Sequence, residues 1–183
     1  MHTAADVIAF WKDLGPKGWF TVDPCVDSMI SAKFAAVHLA ASRGDLADWL
    51  DNSEGALALL ILLDQFPRNM FRGSAHSYAT DGLARQVARH ALDKGFDQEV
   101  EAALRPFFYL PFEHSEDLAD QEKCVDLFTR HHEQTGDEET LKYAVLHRDI
   151  ITRFGRFPHR NKALGRQTTA EEQAYLDDDG FKG

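Results

Sequence analysis

Eight consecutive apolar residues, Ala56-Leu57-Ala58-Leu59-Leu60-Ile61-Leu62-Leu63, constrain this chain more than any other stretch. Wound as a helix, the run is apolar on every side, so it belongs at the centre of a packed domain. A membrane span takes about twenty such residues. Asp64 follows at once, so no spanning helix is predicted here.

Around that run the chain reads as helix punctuation. Val7, Ile8, Trp11 and Leu14 keep helical spacing up to Gly15-Pro16. Asp23-Pro24 is an N-cap followed by a first-turn proline, and Val26, Ile30, Phe34, Val37 and Ala41 form one stripe that stops at Gly44. A short helix is expected over 45–51. Ser53 is positioned to cap the apolar helix, and Pro67 is expected to end it, since proline disfavours helical geometry in the residue before it.

Thr80 is expected to cap a helix with Leu83, Val87 and Ala91 on one face, closing at Gly95. Asp97 is expected to start another that stops near Pro106. Phe107 to Phe112 reads as an aromatic connector between prolines. Ser115 opens a helix reaching Gln134 with Leu118, Val125 and Phe128 inward, and Gly136-Asp137 turns into the last long helix, with Leu141, Ala144, Val145, Ile151 and Phe154 toward the core. Thr168-Thr169-Ala170-Glu171 has capping-box spacing before a short final helix, and Asp177-Asp178-Asp179-Gly180 is expected to fray. The only strand candidate is Gly18 to Val22, which an extended loop explains equally well. The prediction is an all-α protein of about eight or nine helices, antiparallel where turns are short, in one domain spanning 1–183.

With a net charge of −10, sequence-independent binding to nucleic acid or an anionic membrane is not expected. Two cysteines, Cys25 and Cys124, without metal-ligand spacing fit a reducing compartment. The opening Met1-His2-Thr3-Ala4-Ala5-Asp6 has neither a cationic leader nor an apolar stretch. A cytoplasmic location is the expectation.

Against this acidic background, His147 to Arg166 holds six Arg or Lys and one Asp. Within it stands Phe157-Pro158-His159-Arg160-Asn161, an echo of Phe66-Pro67-Arg68-Asn69. The echo is either a worn duplication of a helical half or a common way to close a buried helix. Guanidinium forks suit carboxylates and phosphates, an amide adds a donor and an acceptor, and imidazole shuttles protons near neutrality. Arg68, Asn69, Arg72, Arg148, Arg156, Arg160 and Asn161 are therefore candidate ligands of an anion, whether a small molecule or an acidic peptide. The bland alternative is a solvated basic loop. Arg148 lies seven residues after Leu141 and three before Ile151, so a buried position is expected with Asp64 or Glu113 as its partner.

Glu113-His114-Ser115-Glu116 sets carboxylate beside imidazole at a helix start. Glu113, His114, His147 and His159 are the candidates for acid–base work, although an ordinary capped helix explains the first two as well. No His-Glu-x-x-His or Gly-x-Ser-x-Gly occurs, nor a glycine-rich phosphate loop, so neither a metal nor another cofactor is predicted.

Three stretches carry a resemblance to a known family. They are Leu62-Leu63-Asp64-Gln65-Phe66-Pro67-Arg68-Asn69 with Phe71-Arg72-Gly73; Pro111-Phe112-Glu113-His114-Ser115-Glu116-Asp117-Leu118 with Gln121 and Glu122; and His147 through Arg153-Phe154-Gly155-Arg156-Phe157-Pro158-His159-Arg160-Asn161 to Leu164-Gly165-Arg166. Together they resemble the bacterial domain-of-unknown-function family nine-two-four over nearly the whole chain. The resemblance implies a tetratricopeptide-repeat-like fold of helix pairs in a right-handed superhelix, although no 34-residue period is visible. It brings no activity, substrate or cofactor. Two functions follow as expectations: a module binding an anionic ligand or acidic peptide, or a small acid–base enzyme, hydrolase or lyase, working without a metal on an anionic metabolite.

Overall fold

A computed structural model describes residues 2–178 and 180–182. Asp179, part of the acidic stretch expected to fray, lies outside them. Among the described residues the protein is all helical, with no strand. Its contacts divide into two compact units, Met1–Arg72 with His76–Pro111, and Gly73–Ala75 with Phe112–Gly183.

The first unit is built on the apolar run. Helix α1 (Ala4–Trp19) opens with a Thr3–Asp6 capping box. It kinks at Gly15, whose φ of 68° interrupts the helical geometry, and then resumes. Gly18 and Trp19 are therefore helical, which removes the strand candidate. Trp19 swings back so that its indole Nε1 donates to the Trp11 carbonyl at 2.7 Å, stacking the two rings. In α2 (Pro24–Ser42), Asp23 is the cap and Val26, Ile30, Phe34, Val37 and Ala41 are buried as the stripe predicts.

Helix α3 (Ser53–Leu60) is capped by Asn52 rather than Ser53, its side chain accepting from the Gly55 N–H. The run expected at the centre is there: every residue from Gly55 to Leu63 is buried. Each buried leucine or isoleucine contributes about 1.5–3 kcal/mol. Gly55 permits the close approach of the preceding 3-10 turn, Ala47–Asp51, because a Cβ there would come within 2.2 Å of the Trp49 carbonyl.

Pro67 does not end this helix. After α3 the backbone widens into one π turn, Ile61–Gln65, and continues as α4 (Phe66–Met70) with Pro67 near its start. A proline in a helix interior clashes with the carbonyl four residues back and leaves it without a donor. Here the wider turn absorbs the ring, and side chains satisfy the carbonyls instead. His38 Nδ1 donates to Leu62 at 2.8 Å, Thr80 Oγ1 to Leu63 at 2.6 Å, and Arg68 Nη1 to Asp64 at 2.6 Å. Thr80 is thereby taken away from its expected capping role on α5 (Asp81–Lys94), and Leu83 on that helix is partly exposed.

The stretch from Asp97 to Pro106 is not one helix. Short 3-10 turns, Phe96–Gln98 and Ala102–Phe108, take its place and bury Leu104, Phe107 and Phe108. Asp97 receives the Tyr109 hydroxyl at 2.8 Å.

A short α6 (Leu110–Glu113) leads into the second unit. There α7 (Leu118–Thr135) and α8 (Glu138–Phe154) pack as a hairpin across the left-handed Gly136. Asp117, not Ser115, caps α7; Ser115 instead accepts from the Asp117 N–H and donates to Asp120. Leu118 consequently points outward, whereas Phe128 is buried. Gly155 stops α8 with a φ of 68°, and Phe157 leads into a 3-10 turn, Pro158–Arg160. Helix α9 (Ala170–Asp177) starts at a Thr169–Glu172 capping box, one residue later than the sequence spacing suggests. The segment after it folds back: the Gly180 N–H donates to the Tyr175 carbonyl, and the Phe181 N–H to the Tyr175 hydroxyl, both at 3.0 Å.

Candidate functional site

The two Phe-Pro copies lie in different units, and each forms the same small device. In the first, one carboxylate is gripped by an arginine fork and an asparagine amide. Asp27 accepts from Arg72 Nε and Nη2, both at 2.9 Å, and from Asn69 Nδ2 at 2.8 Å. The Arg72 bonds hold the Asp27 carboxyl below the usual range against its partial burial, with the Asn69 bond helping. In the second copy Glu172 plays the part. It accepts from Arg156 Nε at 2.6 Å, Arg156 Nη2 at 2.8 Å and Asn161 Nδ2 at 3.1 Å. Those arginine bonds outweigh burial and, with the Thr169 N–H, lower the Glu172 carboxyl to about 2. The backbones differ, one copy continuing a helix through a π turn and the other following a glycine stop.

The other predicted arginines also face acids of their own unit. Arg68 meets the Asp81 carboxylate through Nη1 and Nη2 at 3.0 and 3.2 Å, with Asp64 Oδ1 at 3.4 Å. Burial works against its charge, but Asp64 and Asp81 outweigh it and raise the guanidinium's pKa. Arg148 pairs with the neighbouring Asp149 at 2.7 Å, not with Asp64 or Glu113, and is only partly buried. Its position flanks the buried face of α8, which Ala144, His147 and Ile151 occupy. Arg166, absent from the predicted site, holds Glu116 at 2.7 and 2.9 Å. Burial raises the Glu116 carboxyl, yet Arg166 and the Phe157 N–H lower it further.

Glu113 and His147 come together inside the second unit. Glu113 arrives from the last residue of α6, and His147 from the middle of α8; both are buried. His147 Nδ1 lies 2.8 Å from the Tyr143 carbonyl and 3.6 Å from Glu113 Oε1. A carbonyl can only accept, so Nδ1 carries a proton, and in the neutral form of the ring the basic nitrogen is Nε2. At 3.6 Å the Glu113 carboxylate acts on the ring as a neighbouring charge rather than as a hydrogen-bond acceptor.

Rings enclose this histidine. His147 meets Phe157 at 5.5 Å, Phe157 meets His159 at 5.5 Å, His159 meets Phe181 at 5.2 Å, and Phe181 meets His147 at 4.6 Å. The Arg160 guanidinium sits 4.4 Å above Phe157 and donates to the His114 carbonyl at 3.0 Å. His114 thus contributes its backbone to the arrangement. Cys124, buried on α7, has its thiol pushed well up by burial and by the Glu113 and Asp120 charges, so it is held as a neutral thiol.

Of the predicted residues, the second unit gathers Glu113, His147, His159 and Arg160, with Arg156 and Asn161 on Glu172. Phe181 and Tyr143 were missed. A lone phenylalanine behind a glycine in an acidic stretch was the available signal for Phe181; a backbone carbonyl gives none. His38, buried with Nδ1 on the π turn, was missed also; burial lowers its pKa even against the Leu62 bond. Among the described residues no group of three or more His, Cys, Asp or Glu could hold a metal ion. Nor is any helix long and apolar enough to cross a membrane.

Residues 7–180 match the model of a family described as bacterial protein of unknown function (DUF924). The solved structure of a protein of unknown function from Agrobacterium tumefaciens is 51% identical to the chain. The likeness covers 96% of this chain and 97% of that one, with a TM-score of 0.90. No curated protein matches.

Proposed function

The chain belongs to the DUF924 family of bacterial proteins of unknown function, and on that footing we propose that it is a small acid–base enzyme acting on an anionic metabolite, as a hydrolase or lyase. The carrying observation is the buried Glu113–His147 pair, with His147 Nδ1 anchored on the Tyr143 carbonyl. That anchor fixes the ring and directs its basic nitrogen, as a general base requires. Glu113 favours the imidazolium formed when the ring takes a proton. Arg160 and His159, beside the same phenylalanine, supply positive charge and a second proton carrier.

A plain anion-binding module is the second reading. Arg160 favours it, being almost wholly buried with its guanidinium on Phe157. The arginines as a set favour it less, since Arg68, Arg72, Arg148 and Arg156 each pair with a carboxylate and the Arg160 charge acts on Glu116. The proposal carries with it a cytoplasmic location, in keeping with two unbridged thiols at Cys25 and Cys124. The tetratricopeptide-like stacking belongs with it, and the α7–α8 hairpin is the element that supports it.

The test incubates the protein in heavy water with a panel of keto acids, hydroxy acids and sugar phosphates. Proton NMR then reads deuterium exchange or conversion. Turnover of at least one anion that disappears in His147→Gln is the expected result. Turnover that survives that substitution, or none across the panel, overturns it.

A further inference from the structure

The ring set around His147 contains one member that comes from outside the hairpin and its following turn. Phe181 reaches the site from the segment after α9 and closes the circuit, edge-on to His147 at 4.6 Å and to His159 at 5.2 Å. It is half-buried and packs against the cluster of Ile150, Ile151 and Phe157.

Among the described residues, Tyr175 takes two backbone bonds from that segment. It takes the Gly180 N–H on its carbonyl and the Phe181 N–H on its hydroxyl. The return is tight: a Cβ on Gly180 would lie 2.3 Å from the Tyr175 carbonyl, so glycine is needed there. A phenyl ring placed between two imidazoles by two backbone bonds to one tyrosine is a seat that another aromatic ring can fill.

We propose that Phe181 is a built-in occupant of the His147 site, standing where an aromatic ring of the ligand binds, and that the ligand displaces it. The ligand class is then an aromatic ring carrying an anionic group, the ring between His147 and His159 and the anion toward Arg160. This deepens the acid–base reading and rests on it for what the site is used for. Displacement breaks the two Tyr175 bonds, the Phe181 ring contacts and its packing on Ile150 and Ile151, and an incoming ring restores the ring contacts.

The test reads accessibility rather than turnover. Ethoxyformylation by diethyl pyrocarbonate is followed on the full chain by mass spectrometry, residue by residue. Phe181→Ala should raise the His147 rate about tenfold or more, as expected when a covering group is removed from a buried site. His131, buried in α7, should keep its rate and so report an intact fold. Tyr175→Phe, which removes the hydroxyl that accepts from the Phe181 N–H, should give a smaller rise. Phenylacetate should slow modification of His147 in Phe181→Ala, and acetate should not. An unchanged His147 rate in both variants overturns the seat, and equal protection by acetate and phenylacetate overturns the aromatic class. A fast His147 in a variant with no turnover of any substrate leaves the seat standing and removes only the acid–base reading.

Discussion

Replacing Thr80 by valine nearly preserves the side chain's shape and deletes one donor at the π turn. Thr80 Oγ1 donates to the Leu63 carbonyl at 2.6 Å, and both residues are buried. The α-helical donor for that carbonyl is missing, because the residue four positions on is Pro67. The carbonyl is then left dry and unsatisfied, which costs about 1–3 kcal/mol. Pro67→Ala restores an N–H at the position from which an α-helix bonds to Leu63. In that background Thr80→Val should cost about 1 kcal/mol less. Urea unfolding of the four proteins, read by the fluorescence of Trp11 against Phe66, measures the coupling. Additivity within about 0.5 kcal/mol would refute the account of how the helix passes its proline.

Acid should reveal the gripped carboxylates. Asp27, Glu116 and Glu172 all have lowered folded values, so their contribution is complete above their ordinary values of 3.8 and 4.5. It is lost as pH falls through the folded values, which for Glu172 is about 2. Denaturant melts from pH 7 to pH 2 should therefore show Glu172→Gln less stable at pH 7, with the gap to the native chain closing toward pH 2; a constant gap would contradict this. Gly55→Ala should destabilise the chain by about 2 kcal/mol or more, since the methyl meets the Trp49 backbone at 2.2 Å. A melting temperature unchanged by that substitution would show that the turn at Ala47–Asp51 can yield.

Much of the fold was legible because its local signals agree with its packing. The buried run at 56–63, the stripe of α2 and the glycine stops at Gly44, Gly95 and Gly136 are all where the sequence signals put them. Two of the misreadings share a cause: a side chain assigned a capping job does another. Thr80 and Ser115 look like caps, but Thr80 serves a carbonyl seventeen residues away and Ser115 serves Asp120. Pro67 looks like a stop, but His38 and Thr80 from elsewhere in the unit, and Arg68 just beyond the proline, bond the carbonyls of the widened turn.

The site was legible in part for the same reason. The basic island signalled charge, but a sequence does not show that Glu172, Glu116 and Asp149 neutralise it in three dimensions. His147 was readable as a buried histidine from its place on the α8 stripe. Its orientation depends on a backbone carbonyl and a carboxylate 34 positions earlier, which no spacing rule connects.

The direct test of the account is the tautomer of His147. Nitrogen-15 correlation spectra of the imidazole rings at about pH 9, where ordinary histidines are neutral, identify which nitrogen carries the proton, and His147→Gln assigns the signal among nine histidines. The structure predicts a proton on Nδ1, held by the Tyr143 carbonyl, and an unprotonated Nε2. A His147 ring protonated on Nε2 would leave the site without its base.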